Sequence, residues 1–186
     1  MTGKPLSNSF FERSALLVAR DLLGKYIVRR RDGRKPVALM ITEVEAYDGP
    51  LDRASHAFRG RTPRTTVMFG PAGVFYVYFT YGMHWMVNVV TGPEGYPAAI
   101  LLRAGAYRNP KTGALVHVTG PARLAKFLGV TGGQNRLAAA RKNGLWFEDR
   151  GIRVPRTKII TGKRIGVEYA GKVWAAKEYN VMFDIK

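Results

Sequence analysis

The chain has 186 residues, 46% hydrophobic and 23% charged, a balance that fits one folded globular domain and excludes a disordered chain. It carries 30 Lys and Arg against 13 Asp and Glu, a net charge of +17, so nucleic acid is the first candidate partner and a membrane surface the second. It has no cysteine, which excludes disulfides and cysteine-ligated zinc, and no apolar run near the ~20 residues of a membrane span.

The N-terminal region is predicted to contain one helix and two strands. Ser9-Phe-Phe-Glu12 has the pattern of a capping box, and apolar residues within 15–23 form a broad face that ends at Gly24. KYIVRRR and PVALMITEVEAY then have the composition of strands, with a tight turn between them at Asp32-Gly33.

The middle of the chain is predicted to form three more strands. Residues 74–90 are dense in β-branched and aromatic side chains and break at Tyr81-Gly82, which indicates two strands joined by a bend. Residues 97–104, PAAILLRA, continue as a further strand. Most of the aromatic residues in this region are expected to be core.

Two helices are expected in the second half. The first has Thr119 as its N-cap and Pro121 near its first turn, and it ends at Gly129. The second covers Gln134 to Lys142, and the C-terminal third is predicted to form short strands and loops. Together these elements predict an α+β fold in which residues 1–186 form a single domain, with a curved, mostly antiparallel β-sheet, partly barrel-like, and several flanking helices.

The acidic residues are unevenly distributed. Glu43, Glu45, Asp48 and Asp52 lie within ten residues of each other, whereas Glu94 is the only acid between Arg53 and Phe147. A carboxylate at the end of an apolar strand is costly unless it is paired or performs a task that needs a shielded charge. Two interpretations remain open for Glu43 and Glu45: salt bridges to arginines, or chemistry. Strand alternation places Glu45 and Tyr47 on one face.

Four other polar or exposed positions each have a structural and a functional interpretation. His56 is one of three histidines, which have no recognised metal-ligand spacing with the acids, so no metal site is predicted. Tyr81 lies at the bend and could project between stacked bases. Asn88, within MVNVV, either bridges to the backbone or reads a bound base, because an unpaired buried amide costs about 1–3 kcal/mol. Arg103 is the natural partner of Glu45 or Glu43.

Taken together, these blocks resemble the alkyladenine (3-methyladenine) DNA glycosylase family. The resemblance runs from about position 41 to 130, through EVEAYDGPLDRASHAFRGRTPR, MF, FYVYFTYGMHWMVN, ILLRA and TGPARLAKFLGV, with weaker likeness in RDLLGKYIVRR and RIGVEYAG on either side.

The resemblance implies a role for each matching residue. Glu45 corresponds to the general base that activates the attacking water, and Arg103 to the residue that helps hold that water and nearby backbone. The walls of the base pocket are Tyr47, His56 and Tyr78. Tyr81 corresponds to the side chain that fills the gap in the duplex, Asn88 to the residue that disfavours guanine, and Arg64 to a phosphate contact.

The implied function is that of a monofunctional DNA glycosylase that flips a damaged purine out of duplex DNA and hydrolyses its N-glycosidic bond. We expect 3-methyladenine and 7-methylguanine as lesions, with hypoxanthine and ethenoadenine as further candidates. We expect no cofactor, a monomer, no membrane partner, and a location in the cytosol or nucleoid, or the nucleus of a eukaryote, because the N-terminus lacks the apolar core of a secretory signal.

Two alternatives remain open. A non-catalytic nucleic-acid-binding protein would use the basic surface and stacking tyrosines, but it gives no reason for Glu45. A metal-dependent nuclease built on Glu43, Glu45 and Asp48 would require a divalent ion.

Overall fold

The framework of the protein is a ten-stranded antiparallel sheet, seen in a computed structural model that describes residues 3–185. The strands are β1 (Lys4–Pro5), β2 (Tyr26–Arg29), β3 (Val37–Asp48), β4 (Phe75–Thr80), β5 (His84–Thr91), β6 (Ala98–Arg108), β7 (Leu115–Thr119), β8 (Leu145–Asp149), β9 (Ile160–Gly162) and β10 (Asn180–Met182). The main path through the sheet is β1-β8-β2-β3-β6-β5-β4.

The sheet curls because each of its two longest strands pairs with two different strands along the same edge. β3 pairs with β2 through its first half and with β10 through its second half, while β6 lies along its other edge. β6 in turn pairs with β5 at its start and with β7 at its end. The result is a half-barrel, which confirms the predicted α+β fold with a curved, mostly antiparallel sheet.

Four helices flank the sheet: α1 (Asn8–Phe11), α2 (Ala15–Leu22), α3 (Pro121–Leu128) and α4 (Gly171–Ala175). The apolar faces of α2 and α3 pack against β3, β5 and β6 and close the main core. Along residues 3–185, every helix is too short or too polar to cross a membrane.

The predicted capping box at Ser9 is wrong. The N-terminal helix is divided into α1 and α2, and Ser9 lies inside α1. The division has a physical cause, because donors other than the helix backbone occupy the carbonyls that a continuous helix needs. The Phe11 carbonyl accepts from the Gly92 N–H at 2.9 Å, and the Phe10 carbonyl accepts from Arg13 Nε at 2.9 Å. The predicted helix end at Gly24 holds, with a φ of 78° there.

The start of α3 is also corrected. Thr119 is the last residue of β7, and the N-cap position is Gly120, whose φ of 99° turns the chain from strand into helix. Pro121 occupies the first helical position, as predicted. The predicted end is confirmed, since Gly129 adopts the left-handed conformation with a φ of 61°.

The helix expected from Gln134 to Lys142 is absent. Only short 3-10 turns occur there, and Arg136 has a φ of 69°. The backbone pairs with the start of β4 instead: Arg136 N–H donates to the Phe75 carbonyl, and Phe75 N–H donates to the Leu137 carbonyl, both at 2.9 Å. This segment therefore acts as an irregular edge of the sheet.

Several other elements differ in detail from the sequence interpretation. β1 and β7 were not expected. The C-terminal third contains the expected short strands, namely β8, β9 and β10, but it also contains helix α4. The two predicted bends are confirmed: Gly33 has a φ of 66°, and Tyr81 and Gly82 have φ values of 52° and 65°.

The packing of β3 on β6 gives a stability prediction. In Gly105→Ala, the new Cβ would lie 2.6 Å from both Leu39 Cγ and the Met40 carbonyl oxygen, and a backbone atom cannot move aside cheaply. We expect the free energy of unfolding to fall by about 1–3 kcal/mol, measured by urea denaturation. Gly162→Ala is the matched control, because it is also a strand glycine but has open space around its Cβ. Equal stability of the two variants would contradict this packing.

Candidate active site

A cavity of about 340 Å³ opens beside β3, between the β4–β5 hairpin and the segment 165–169. Seven of the eight residues singled out from the sequence line it, namely Glu45, Tyr47, His56, Tyr78, Tyr81, Asn88 and Arg103. Arg64 is the exception and lies behind one wall. The fold therefore brings together residues that are up to 58 positions apart in the sequence.

Glu45 is fully buried, with 0% of its surface exposed, yet it borders this cavity. Its Oε2 accepts a hydrogen bond from the Tyr47 hydroxyl at 3.0 Å, so strand alternation does place these two side chains together. Its Oε1 accepts from the Ile165 backbone N–H at 2.8 Å. These donors compensate for the water that the carboxylate has lost.

Arg103 connects the two glutamates. Its Nε donates to Glu43 Oε1 at 2.9 Å, and its Nη1 lies 3.3 Å from Glu45 Oε1. The Asn180 amide donates to Glu43 Oε1 at 2.8 Å and lies 3.4 Å from Glu45 Oε1. The salt-bridge interpretation is therefore correct for both acids, and it does not compete with a working role for Glu45.

Neutral aromatic side chains form the opposite wall. The His56 ring packs edge-on against Tyr78 with centroids 4.7 Å apart, and the Tyr76 and Tyr78 rings lie 5.2 Å apart. Burial raises the pKa of the Tyr78 hydroxyl, and burial next to Glu45 raises the pKa of the Tyr47 hydroxyl well above its usual range. Both phenols therefore remain protonated, so Tyr47 keeps the proton that it donates to Glu45.

His56 is held in the wall by its neighbours. It begins a 3-10 turn, His56–Arg59, in which the Ala57 N–H donates to the Ser55 hydroxyl at 3.2 Å. Its Nδ1 lies 2.9 Å from the Tyr76 hydroxyl. Burial, together with the nearby charge of Arg64, lowers the pKa of His56 to about 4, so the ring is neutral at pH 7.

Arg64 supports the aromatic wall from outside the cavity. Its Nε donates to the Tyr76 hydroxyl at 3.2 Å, and its guanidinium lies 4.8 Å from the centre of the Tyr78 ring. The residue is exposed, so a phosphate contact remains a prediction for it.

Asn88 and Tyr81 occupy contrasting places on the β4–β5 hairpin. Asn88 is buried, and its amide donates across the hairpin to the Tyr76 carbonyl at 3.0 Å, so the predicted backbone bridge is present and its side chain also lines the cavity. Tyr81 is at the tip and is 83% exposed. Its ring projects from the protein at the cavity mouth, as the bend predicted.

The comparisons with known proteins agree with this geometry. The model of the family described as methylpurine-DNA glycosylase matches residues 9–182. The chain belongs to this family. Methylpurine-DNA glycosylases are hydrolases that act on N-glycosyl bonds of DNA in base-excision repair, so DNA is the substrate.

Curated relatives carry the name "Putative 3-methyladenine DNA glycosylase". One from Myxococcus xanthus is 46% identical over 178 residues, covering 95% of this chain and 88% of that protein. One from Streptomyces avermitilis is 46% identical over 185 residues, covering 91% and 84%. One from Anaeromyxobacter sp. is 44% identical over 174 residues, covering 94% and 86%.

Sequence reasoning missed several residues of this candidate site. Ile165 and Asn180 contact the Glu45 carboxylate from 120 and 135 positions away, where no periodic pattern connects them. Tyr76 is buried, as expected, but its hydroxyl also contacts both His56 and Arg64, and its side chain lines the cavity. Tyr169 is an exposed part of the cavity lining, and its hydroxyl donates to the Ala54 carbonyl at 2.9 Å.

The lowered pKa of His56 gives a prediction about stability and pH. Below about pH 6.5 the unfolded glycosylase gains a proton on this ring, while the folded protein gains it only near pH 4, so acid favours unfolding through His56. We expect His56→Asn to lose less stability than the unmodified protein between pH 7 and pH 5, measured by urea denaturation. His117→Asn, at an exposed position, is the control and should behave as the unmodified protein does. An unchanged pH dependence in His56→Asn would contradict the assignment.

Proposed function

We propose that this chain flips a damaged purine nucleotide out of duplex DNA into the cavity and hydrolyses its N-glycosidic bond with a water directed by Glu45. The product is free base and an abasic site. The observation that carries the proposal is a fully buried carboxylate that borders a cavity walled by neutral aromatic rings. The proposed lesions are 3-methyladenine and 7-methylguanine, with hypoxanthine and ethenoadenine as further candidates.

The proposed reaction needs an anion more than it needs an acid. The bond between C1′ and the purine nitrogen breaks, the electron pair leaves with the base, and the sugar develops positive charge. A purine alkylated at N3 or N7 is cationic, so it leaves as a neutral base without further protonation. Glu45 offsets the charge of the sugar, orients the water and accepts its proton as the new C–O bond forms. Arg103 holds the carboxylate in place, with its Nη1 3.3 Å from Oε1.

The electrostatics of the wall suit a cationic base. Tyr47 and Tyr78 present uncharged rings, whose π faces attract a cation. His56 is neutral at pH 7 because its pKa is about 4, so it adds surface for stacking without repelling the positive purine. Asn88 is proposed to crowd the exocyclic amine of normal guanine, which disfavours that base.

The DNA contacts follow from shape and charge. Tyr81 is proposed to enter the gap that the flipped nucleotide leaves, since a stack opened at one step needs a filler. Arg64 is proposed to contact a phosphate. The chain is proposed to act as one catalytic domain and as a monomer, and its +17 charge supports binding to a duplex polyanion.

Glu45→Gln tests the chemistry. The amide fills the same space but cannot accept a proton, so we expect base release to fall at least about 100-fold while binding to DNA persists. The assay incubates the protein in EDTA with a duplex that carries one 7-methylguanine, and it measures free base and alkali-labile strand breaks. Glu94→Gln, an exposed acid, is the control.

The same assay separates the alternatives. Unchanged DNA with the unmodified protein would favour a non-catalytic binding protein. Cleavage that appears only when Mg²⁺ replaces EDTA would favour a nuclease. Normal turnover by Glu45→Gln would remove Glu45 from the mechanism.

Tyr81→Ala tests the proposed insertion of Tyr81 into the gap that the flipped nucleotide leaves. In the Glu45→Gln background, where turnover is blocked, we expect affinity for the lesion duplex to fall about 10-fold, equal to about 1.4 kcal/mol, because the opened stack loses its filler. Fluorescence anisotropy measures this affinity. Leu17→Ala removes another exposed apolar side chain and should leave affinity unchanged. Equal affinities of the Tyr81→Ala and Leu17→Ala proteins would reject the insertion of Tyr81 into the DNA stack.

A further inference from the structure

Arg164 is a buried cation next to the site, and the mechanism so far does not use it. It is 3% exposed, and both of its terminal nitrogens donate to the Asp52 carboxylate. It also donates to the Ala46 carbonyl at 2.9 Å and to the Trp174 carbonyl at 3.3 Å. Its guanidinium therefore connects β3, the loop that precedes His56, the segment 164–170 and helix α4.

The guanidinium also lies between two aromatic rings. Its central carbon is 4.8 Å from the centre of the Tyr47 ring and 5.1 Å from the centre of the Tyr179 ring. Arg favours such a place because its planar group can stack on rings while its edge donates hydrogen bonds.

Three partners of the Glu45 carboxylate are next to Arg164 in sequence or in space. Ile165, whose N–H donates to Oε1, is the following residue. Tyr47, whose hydroxyl donates to Oε2, stacks on the guanidinium. Asn180, whose amide lies 3.4 Å from Oε1, follows Tyr179, the other stacked ring. Arg103 is the one remaining partner found within residues 3–185.

Asp52 holds the guanidinium in a fixed orientation. Asp52 is itself fully buried, and its oxygens also accept from the Asp48 and Ala54 N–H groups at 3.0 Å. A buried ion pair of this kind contributes little net stability, because the desolvation of both charges offsets their attraction. Its geometric effect is larger, since a bidentate pair allows one relative orientation.

We infer that Arg164, held by Asp52, is a positioning residue that sets the Ile165, Tyr47 and Asn180 donors around the Glu45 carboxylate. The inference rests on the proposed function of Glu45 as the base. Arg164 does not line the cavity, so it acts through these donors and makes no contact with the flipped nucleotide. Its loss should therefore slow the chemical step and leave capture of DNA intact.

Arg164→Lys is the direct test. Lysine keeps the charge, but it cannot form the bidentate pair with Asp52 or stack between two rings. We expect the single-turnover rate of base release to fall about 10- to 100-fold, because small misplacements of a catalytic group have effects of this size. Affinity for the lesion duplex should stay within about threefold, a change small against the tenfold that 1.4 kcal/mol represents.

Arg150→Lys is the matched control. Arg150 also donates two hydrogen bonds to a buried carboxylate, that of Glu148, and lies 4.3 Å from the Tyr26 ring, but it is outside the cavity lining. We expect it to lower the melting temperature without changing the rate of base release. If Arg164→Lys does not fold, Tyr179→Leu removes one stacked ring and should give a smaller loss of rate, again with affinity for the lesion duplex kept within about threefold.

The outcomes separate this inference from the proposed function. Release of base by the unmodified protein and its loss in Glu45→Gln support the proposed function. If Arg164→Lys, or Tyr179→Leu in its place, then retains the full rate, or loses rate only in proportion to its loss of affinity, the positioning role is rejected alone. An equal loss of rate in Arg150→Lys would also reject it, because the effect would then be one of general stability. No base release by the unmodified protein would reject the proposed function itself.

Discussion

The site depends on the buried carboxylate of Glu45. This carboxylate has no cation of its own, because its arginine partner also pairs with Glu43. Glu45 has no exposed surface, and its charge is supported by a hydroxyl, a backbone N–H and an arginine that it shares with Glu43. Burial makes the interaction of such an anion with a nearby positive centre strong, because water does not screen it. The carboxylate therefore stays at the edge of the cavity, and its hydrogen-bond and ion-pair partners offset the free energy lost by desolvation.

Basic residues and the cavity carboxylate occupy different parts of the protein. The outer surface is basic, as the excess of Lys and Arg requires, while the cavity combines an anionic edge at Glu45 with neutral rings on the facing wall. Arg64 lies outside the cavity next to these rings, and its charge helps lower the pKa of His56, so the imidazole is neutral at pH 7. Under the proposed function, the basic exterior attracts the DNA polyanion, and a flipped base meets the uncharged rings of His56 and Tyr78, with the Arg64 guanidinium beside the Tyr78 ring.

Features governed by local backbone geometry could be predicted from the sequence. The bends at Gly33 and Tyr81-Gly82 and the end of α3 at Gly129 need positive φ, which their residues or neighbours supply. Strand alternation correctly put Glu45 and Tyr47 together. The helix boundaries at residues 9–14 and the helix at 134–142 failed, because remote N–H and C=O groups took the hydrogen bonds that a helix would have used.

The sequence by itself determined the fold class, the basic exterior, seven of the residues that line the cavity and Arg103 as a partner of the glutamates, because periodicity, composition and family-like blocks are local properties of the chain. Only the tertiary structure decided which other groups surround Glu45, since Ile165 and Asn180 arrive on separate segments that the curl of the sheet brings together. It also decided that His56 is neutral, because its burial and its distance from Arg64 exist only in the folded chain.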